Sequence, residues 1–183
     1  MTRTLNIFLI LFLISNSILA QNNDSLTQDI RLKYNNIRTN LGTLDSTKID
    51  IWGESAEGGI ATAFYNRSNL KLIQVVWFGE TGKKMIEYYF YNDKLIFAFE
   101  QAFKYNRPIY WTKKDSIEML DDDEVFDPQK TEITENRYYF NNENLYLWLD
   151  NEKKEKDVTT ATNSEVGNRL VTHCRKIIDE LKK

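Results

Sequence analysis

The chain has 183 residues with 24 Lys plus Arg against 27 Asp plus Glu, a net charge of −3, one histidine and one cysteine. With no basic stripe to neutralise phosphates, nucleic acid and anionic membrane are poor partners on electrostatic grounds. His173 and Cys174 are too few for a structural zinc site, and Cys174 has no partner for an internal disulfide, so no metal and no cofactor is expected.

The first residues carry one cation, Arg3, then an apolar run from Leu5 to Ile14 and a small residue, Ala20. These are the parts of a secretory signal, so residues 1–20 are expected to be a signal peptide cleaved after Ala20. The apolar run falls short of the roughly 20 residues that a membrane-spanning helix needs. Gln21 stands where a lipoprotein would need cysteine. The expected product is residues 21–183, a single α+β domain with no membrane span, secreted or periplasmic.

From Ser25 to Leu41 the apolar positions Leu26, Ile30, Tyr34, Ile37 and Leu41 step by three and four, which predicts a helix stopped by Gly42. After it the period changes to two, and the residues are those that suit a pleated surface. Strands are predicted at 48–52, 60–66, 70–78, 84–92, 94–104, 133–141 and 145–150. Three of the reversals share aromatics, a polar tip and a leucine: Phe64-Tyr65-Asn66 to Leu70, Phe90-Tyr91-Asn92 to Leu95, and Phe140-Asn141-Asn142 to Leu145. Asn and Asp tolerate the positive φ of a tight hairpin. Short connections imply antiparallel pairing, because parallel strands need long crossovers.

Residues 106–130 interrupt this run. They hold Pro108, Pro128 and the acids Asp121, Asp122, Asp123, Glu124 and Asp127, and read as a long excursion. Residues 151–157 read as a charged linker. A last helix is predicted from the stripe Val166, Leu170, Cys174, Ile177 and Leu181, with Thr162 and Glu165 as a capping box. The expected fold is an antiparallel β-meander flanked by an N-terminal and a C-terminal helix.

The hairpin Glu87-Tyr88-Tyr89-Phe90-Tyr91-Asn92-Asp93-Lys94-Leu95-Ile96 resembles those of uncharacterised exported bacterial proteins and, more loosely, MORN-type hairpin repeats. The resemblance covers residues 64–149. It implies no catalytic residue.

Catalytic signals are sparse. His173 lies beside the apolar stripe of the last helix and reads as a packed or surface imidazole, while Cys174 on the stripe reads as a small hydrophobe. Asp121, Asp123 and Asp127 lack the spacing of a calcium-binding loop, and Gly58-Gly59 lacks the helix and lysine of a phosphate loop. Glu87 and Glu100 each interrupt an apolar strand and read as marks of a wet sheet face. Strict alternation puts Tyr88, Phe90, Leu95, Phe97, Phe99 and Phe103 on one side, to be covered by the helices. It turns Tyr89 and Tyr91 the other way, and sets Tyr139, Tyr146 and Trp148 against Tyr138, Phe140, Leu145, Leu147 and Leu149. Tyr and Trp keep a polar tip wet while burying a ring. Trp77, Tyr89, Tyr91, Tyr139 and Trp148 are therefore the expected ligand-binding surface of an exported, non-enzymatic module, recognising a protein or a glycan through that face or the 106–130 loop. A carboxylate-based hydrolase and a structural or assembly subunit are the alternatives.

Overall fold

The computed structural model describes residues 23–120 and 122–183, so the expected signal peptide lies outside the described residues. The chain divides into two units, residues 1–39 and residues 40–183. In the first, a helix α1 covers residues 23–39, ending two residues before the predicted Leu41. Thr27, Ile30 and Ile37 are its buried positions, the spacing of one helical stripe. Gly42 sits beyond it in a single 3-10 turn, Leu41–Thr43.

The second unit is an eight-stranded sheet in sequential order with every neighbouring pair antiparallel. Its strands are β1 (Asp45–Ile51), β2 (Gly59–Asn66), β3 (Asn69–Gly79), β4 (Gly82–Tyr91), β5 (Lys94–Lys104), β6 (Glu132–Asn141), β7 (Asn144–Leu149) and β8 (Glu155–Lys156). The expected meander is present. β8 falls inside the supposed linker, and a short helix α2 (Lys113–Leu120) falls inside the 106–130 excursion. Neither carries enough apolar periodicity to announce itself in sequence.

The three similar hairpins share one device. Each has a two-residue tip followed by a register shift, between Phe64 and Tyr65, between Tyr89 and Phe90, and between Tyr139 and Phe140. Asn92, Asp93, Asn142 and Glu143 all have positive φ, the two-residue signature of a type I′ turn. The shift leaves Lys71, Ile96 and Tyr146 as the extra residue on each outgoing strand, a β-bulge.

These bulges correct the expected faces. Since the side-chain period is two, one extra residue moves everything beyond it to the opposite side. Tyr88 pairs with Ala98 and Tyr89 with Phe97, so Phe97, Phe99 and Phe103 lie with Tyr89 and not with Tyr88 and Phe90. Likewise Trp148 pairs with Tyr138 and Leu147 with Tyr139, the reverse of simple alternation.

The last helix, α3, spans Ala161–Leu181. Thr160 caps it by accepting from the Asn163 backbone N–H, so the cap lies two residues before the predicted Thr162. Leu170, Cys174 and Ile177 pack on Ile73, Val75, Tyr88, Phe90, Leu95, Ala98, Tyr138 and Phe140 to form one core. Burying each large side chain there contributes about 1.5–3 kcal/mol.

α3 lies across the strands. Near its start a Cβ on Gly167 would stand 2.6 Å from Leu145 Cβ of β7, so only glycine admits this approach. Near its end Ile177 and Glu180 border the same hollow as Asp50 and Ile51 of β1. A 21-residue helix is roughly 31 Å long, close to the roughly 29 Å of six strand spacings. One flank of the helix is tied to the hairpin tips, where Arg175 donates to the Asp93 carbonyl at 3.0 Å and pairs with Glu143. The other flank overlooks the site.

Candidate functional site

Beside α3, on the flank away from the hairpin tips, the sheet carries an open cleft of about 820 Å³. Its floor is two cross-strand rungs. One rung is Ile86, Glu100 and Asn136, paired across β4, β5 and β6. The next is Tyr88, Ala98, Tyr138 and Trp148, extended to β7. Lys84 stands two residues before Ile86 on β4. The helix wall is Glu165, Arg169, His173 and Lys176, steps of four, four and three that share a face. Glu54 enters from the β1–β2 loop, where Gly53 and Gly58 have positive φ and Ser55 Oγ donates to the Phe78 carbonyl.

The floor is a connected polar network. Lys84 Nζ lies 2.8 Å from Glu100 Oε2, the Trp148 indole donates to Asn136 Oδ1 at 2.9 Å, and Asn136 Nδ2 reaches Glu100 Oε1 at 3.5 Å. The Trp148 ring meets Tyr138 at 5.3 Å between centroids. Burial pushes the Tyr138 hydroxyl well above its ordinary pKa, with the Glu100 charge adding to the effect. Arg169 and Lys176 make no ion pair or hydrogen bond among the described residues, although both line the cleft.

His173 is the wall's centre. Its Nδ1 is 2.6 Å from the Tyr88 hydroxyl and its Nε2 is 3.3 Å from Glu54 Oε1. The Trp77 and Tyr88 rings flank it at 6.4 Å and 5.7 Å between centroids. Burial is the main cause that lowers the His173 pKa. Glu54 raises it, and Lys84 and Lys176 add to the lowering. Tyr88 is pushed well above its usual value, chiefly by burial, so its hydroxyl is no activated nucleophile.

The five residues expected to share a surface are divided by the bulges. Trp148 lines the main cleft and Trp77, buried, lines a smaller one on the same side of the sheet. Tyr89 and Tyr139 belong to the opposite side and are buried; Tyr91, next to a turn, is exposed. Glu87 is likewise no mark of a wet face. It is 3% exposed and accepts from Gln74 Nε2 at 3.0 Å and the Tyr89 hydroxyl at 2.6 Å. Its partner in the expectation, Glu100, does face the cleft.

Within the excursion the acids pair with cations: Asp122 and Glu124 with Arg107 at 2.5 and 3.1 Å, Asp123 with Lys113 at 3.5 Å, and Glu124 with Lys130 at 2.6 Å. Ile109, Tyr110, Ile117, Met119 and Leu120 are exposed there.

Sequence reasoning passed over Arg169, His173 and Lys176 as a set, although their spacing places them on one helix face. Glu54 had no signal, since nothing local in a turn tells which helix it meets. Comparison with protein-family models, curated proteins and solved structures returns no match.

Proposed function

We propose that this chain is an exported binding module whose ligand is a glycan held in the cleft beside α3. The observation that carries the reading is the make-up of that cleft. The half-buried Trp148 supplies ring surface in its floor, backed by the buried Tyr88 and Tyr138, while Lys84, Arg169 and Lys176 are matched by Glu54, Glu100 and Glu165. Rings pack against the apolar face of a sugar, and donors and acceptors in equal measure suit hydroxyl groups, which do both. Matched charge also favours a neutral ligand over a polyanion. Export is supported by the tripartite pattern of residues 1–20.

A glycan array probed with the purified protein tests the binding reading. The expected result is retention of a set of related oligosaccharides, weakened about tenfold, or about 1.4 kcal/mol, by Arg169→Ala with the melting temperature unchanged. No retained glycan, or retention indifferent to Arg169→Ala, overturns it. Release of reducing ends from a retained oligosaccharide would replace binding by carboxylate-based hydrolysis. Intact-mass analysis of exported protein is expected to give a chain beginning at Gln21, and a chain beginning at Met1 would remove the export reading.

A further inference from the structure

His173 stands where two clefts meet. The main cleft and a second of about 270 Å³, bordered by Trp52 and Trp77, share Glu54, His173 and Lys176 as their common wall. The span of that wall is the approach of Glu54 to the imidazole, 3.3 Å from Oε1 to Nε2. It is a weak closure, because the enclosed Nε2 has no aligned hydrogen-bond partner. With the Glu54 carboxylate opposite Nε2, the favoured neutral tautomer carries its hydrogen there, which leaves Nδ1 to accept from the Tyr88 hydroxyl. A neutral N–H is then all that faces the Glu54 carboxylate.

We propose that Glu54 and His173 form a pH-dependent bar between the two clefts, loose while the imidazole is neutral and drawn tight when it takes up a proton. Protonation makes both ring nitrogens donors and puts a positive charge opposite Glu54, which turns a misaligned contact into a charge-assisted one. Tyr88 then changes from donor to acceptor at Nδ1. The charged and titratable groups around the ring come from every element packed on it. Glu54, on the β1–β2 loop, favours the cation, whereas Lys84 of β4 and Lys176 of α3 oppose it. Glu100 of β5 faces the same cleft but is paired with Lys84. Arg169 and Glu165 lie one and two turns earlier on α3, Tyr138 lies on β6, and Asp50 and Glu180 border the smaller cleft. Burial outweighs the pull of Glu54, so the bar is loose at neutral pH and tightens in acid. The consequence for a ligand, that one long enough to occupy both clefts is released in acid, rests on the glycan-binding reading. The bar itself does not.

His173 is the chain's one histidine, so its ring signals can be followed by NMR in uniformly labelled protein without ligand. The expected result is a ring that titrates below 6.5, an acceptor-type Nδ1 and a protonated Nε2 in the neutral form, and a Trp52 indole signal that moves with the same midpoint. Glu54→Gln is expected to shift the ring midpoint further down and to uncouple Trp52 from it. Lys176→Met is expected to shift it up. Both changes are at exposed positions, so the fold survives them. A midpoint indifferent to Glu54→Gln, or a Trp52 signal that ignores the ring's titration, overturns the bar. Intact co-titration in a protein that retains no glycan would count against the binding reading alone.

Discussion

Two stripes of one helix divide the labour in this molecule. Leu170, Cys174 and Ile177 sink into the sheet and are buried, whereas Arg169, His173 and Lys176, each one residue earlier, line the cleft. A rotation of about 100° separates the neighbours. The dry stripe answers for stability, and the wet stripe borders the cleft to which binding is assigned as a proposal, so substitutions in the two should part stability from that proposed binding.

The largest effect is expected on the dry stripe. Ile177→Ala removes a side chain that is 3% exposed, and should lower unfolding free energy by about 3 kcal/mol, within the usual 2–5 for such truncations, as read by urea titration. A loss well under 1 kcal/mol would mean that the helix is not seated as described.

Gly167→Ala should cost about 1–3 kcal/mol by overpacking against Leu145. Combining it with Leu145→Gly, which removes the Cβ that the new methyl would strike, should recover part of that loss in a double-mutant cycle. Additive costs would break the claim that the two backbones need glycine to approach.

On the wet stripe, His173→Gln should cost only about 1 kcal/mol, the worth of its bond to Tyr88. Its larger signature is in the pH dependence. Burial holds the folded-state pKa of His173 below its ordinary value of 6.5, so the unfolded chain binds the proton more readily than the folded one. The stability this group contributes is therefore present above pH 6.5 and lost as pH falls towards the lowered folded value. Urea midpoints measured across that window should fall with pH in the wild type and fall less steeply in His173→Gln. Equal slopes would place the acid sensitivity elsewhere.

The smallest effect is a lack of reaction. Cys174 is fully buried on the dry stripe, and burial pushes its thiol up to about 12, so a thiol reagent at neutral pH should leave the folded protein unlabelled and modify it in urea. Rapid labelling of the native protein would move Cys174 onto the wet side of the comparison.

Much of the fold was legible from particular residues. The step of three and four through Val166, Leu170, Cys174 and Ile177 marked α3, and the Asn-containing tips marked three hairpins, because both signals lie within a few neighbouring residues. β8 and α2 were not legible: Glu155-Lys156 is a two-residue charged strand with no apolar alternation, and α2 keeps exposed apolar residues that give no clean stripe. The five rings expected on one face were divided for a sharper reason. Alternation was read straight through Ile96 and Tyr146, the two bulge residues that exchange the faces.

The sequence by itself determined the periodicities, the antiparallel meander and the tight turns, since each depends on local φ, ψ and side-chain preferences that neighbours in the chain express. Only the tertiary structure decided which rings share a face, which acid meets His173, and where a helix laid across the sheet leaves part of it open. Those depend on register and on contacts between residues as far apart as Tyr88 and His173, whose meeting is set by the summed bulges and by the glycine-sized approach at Gly167.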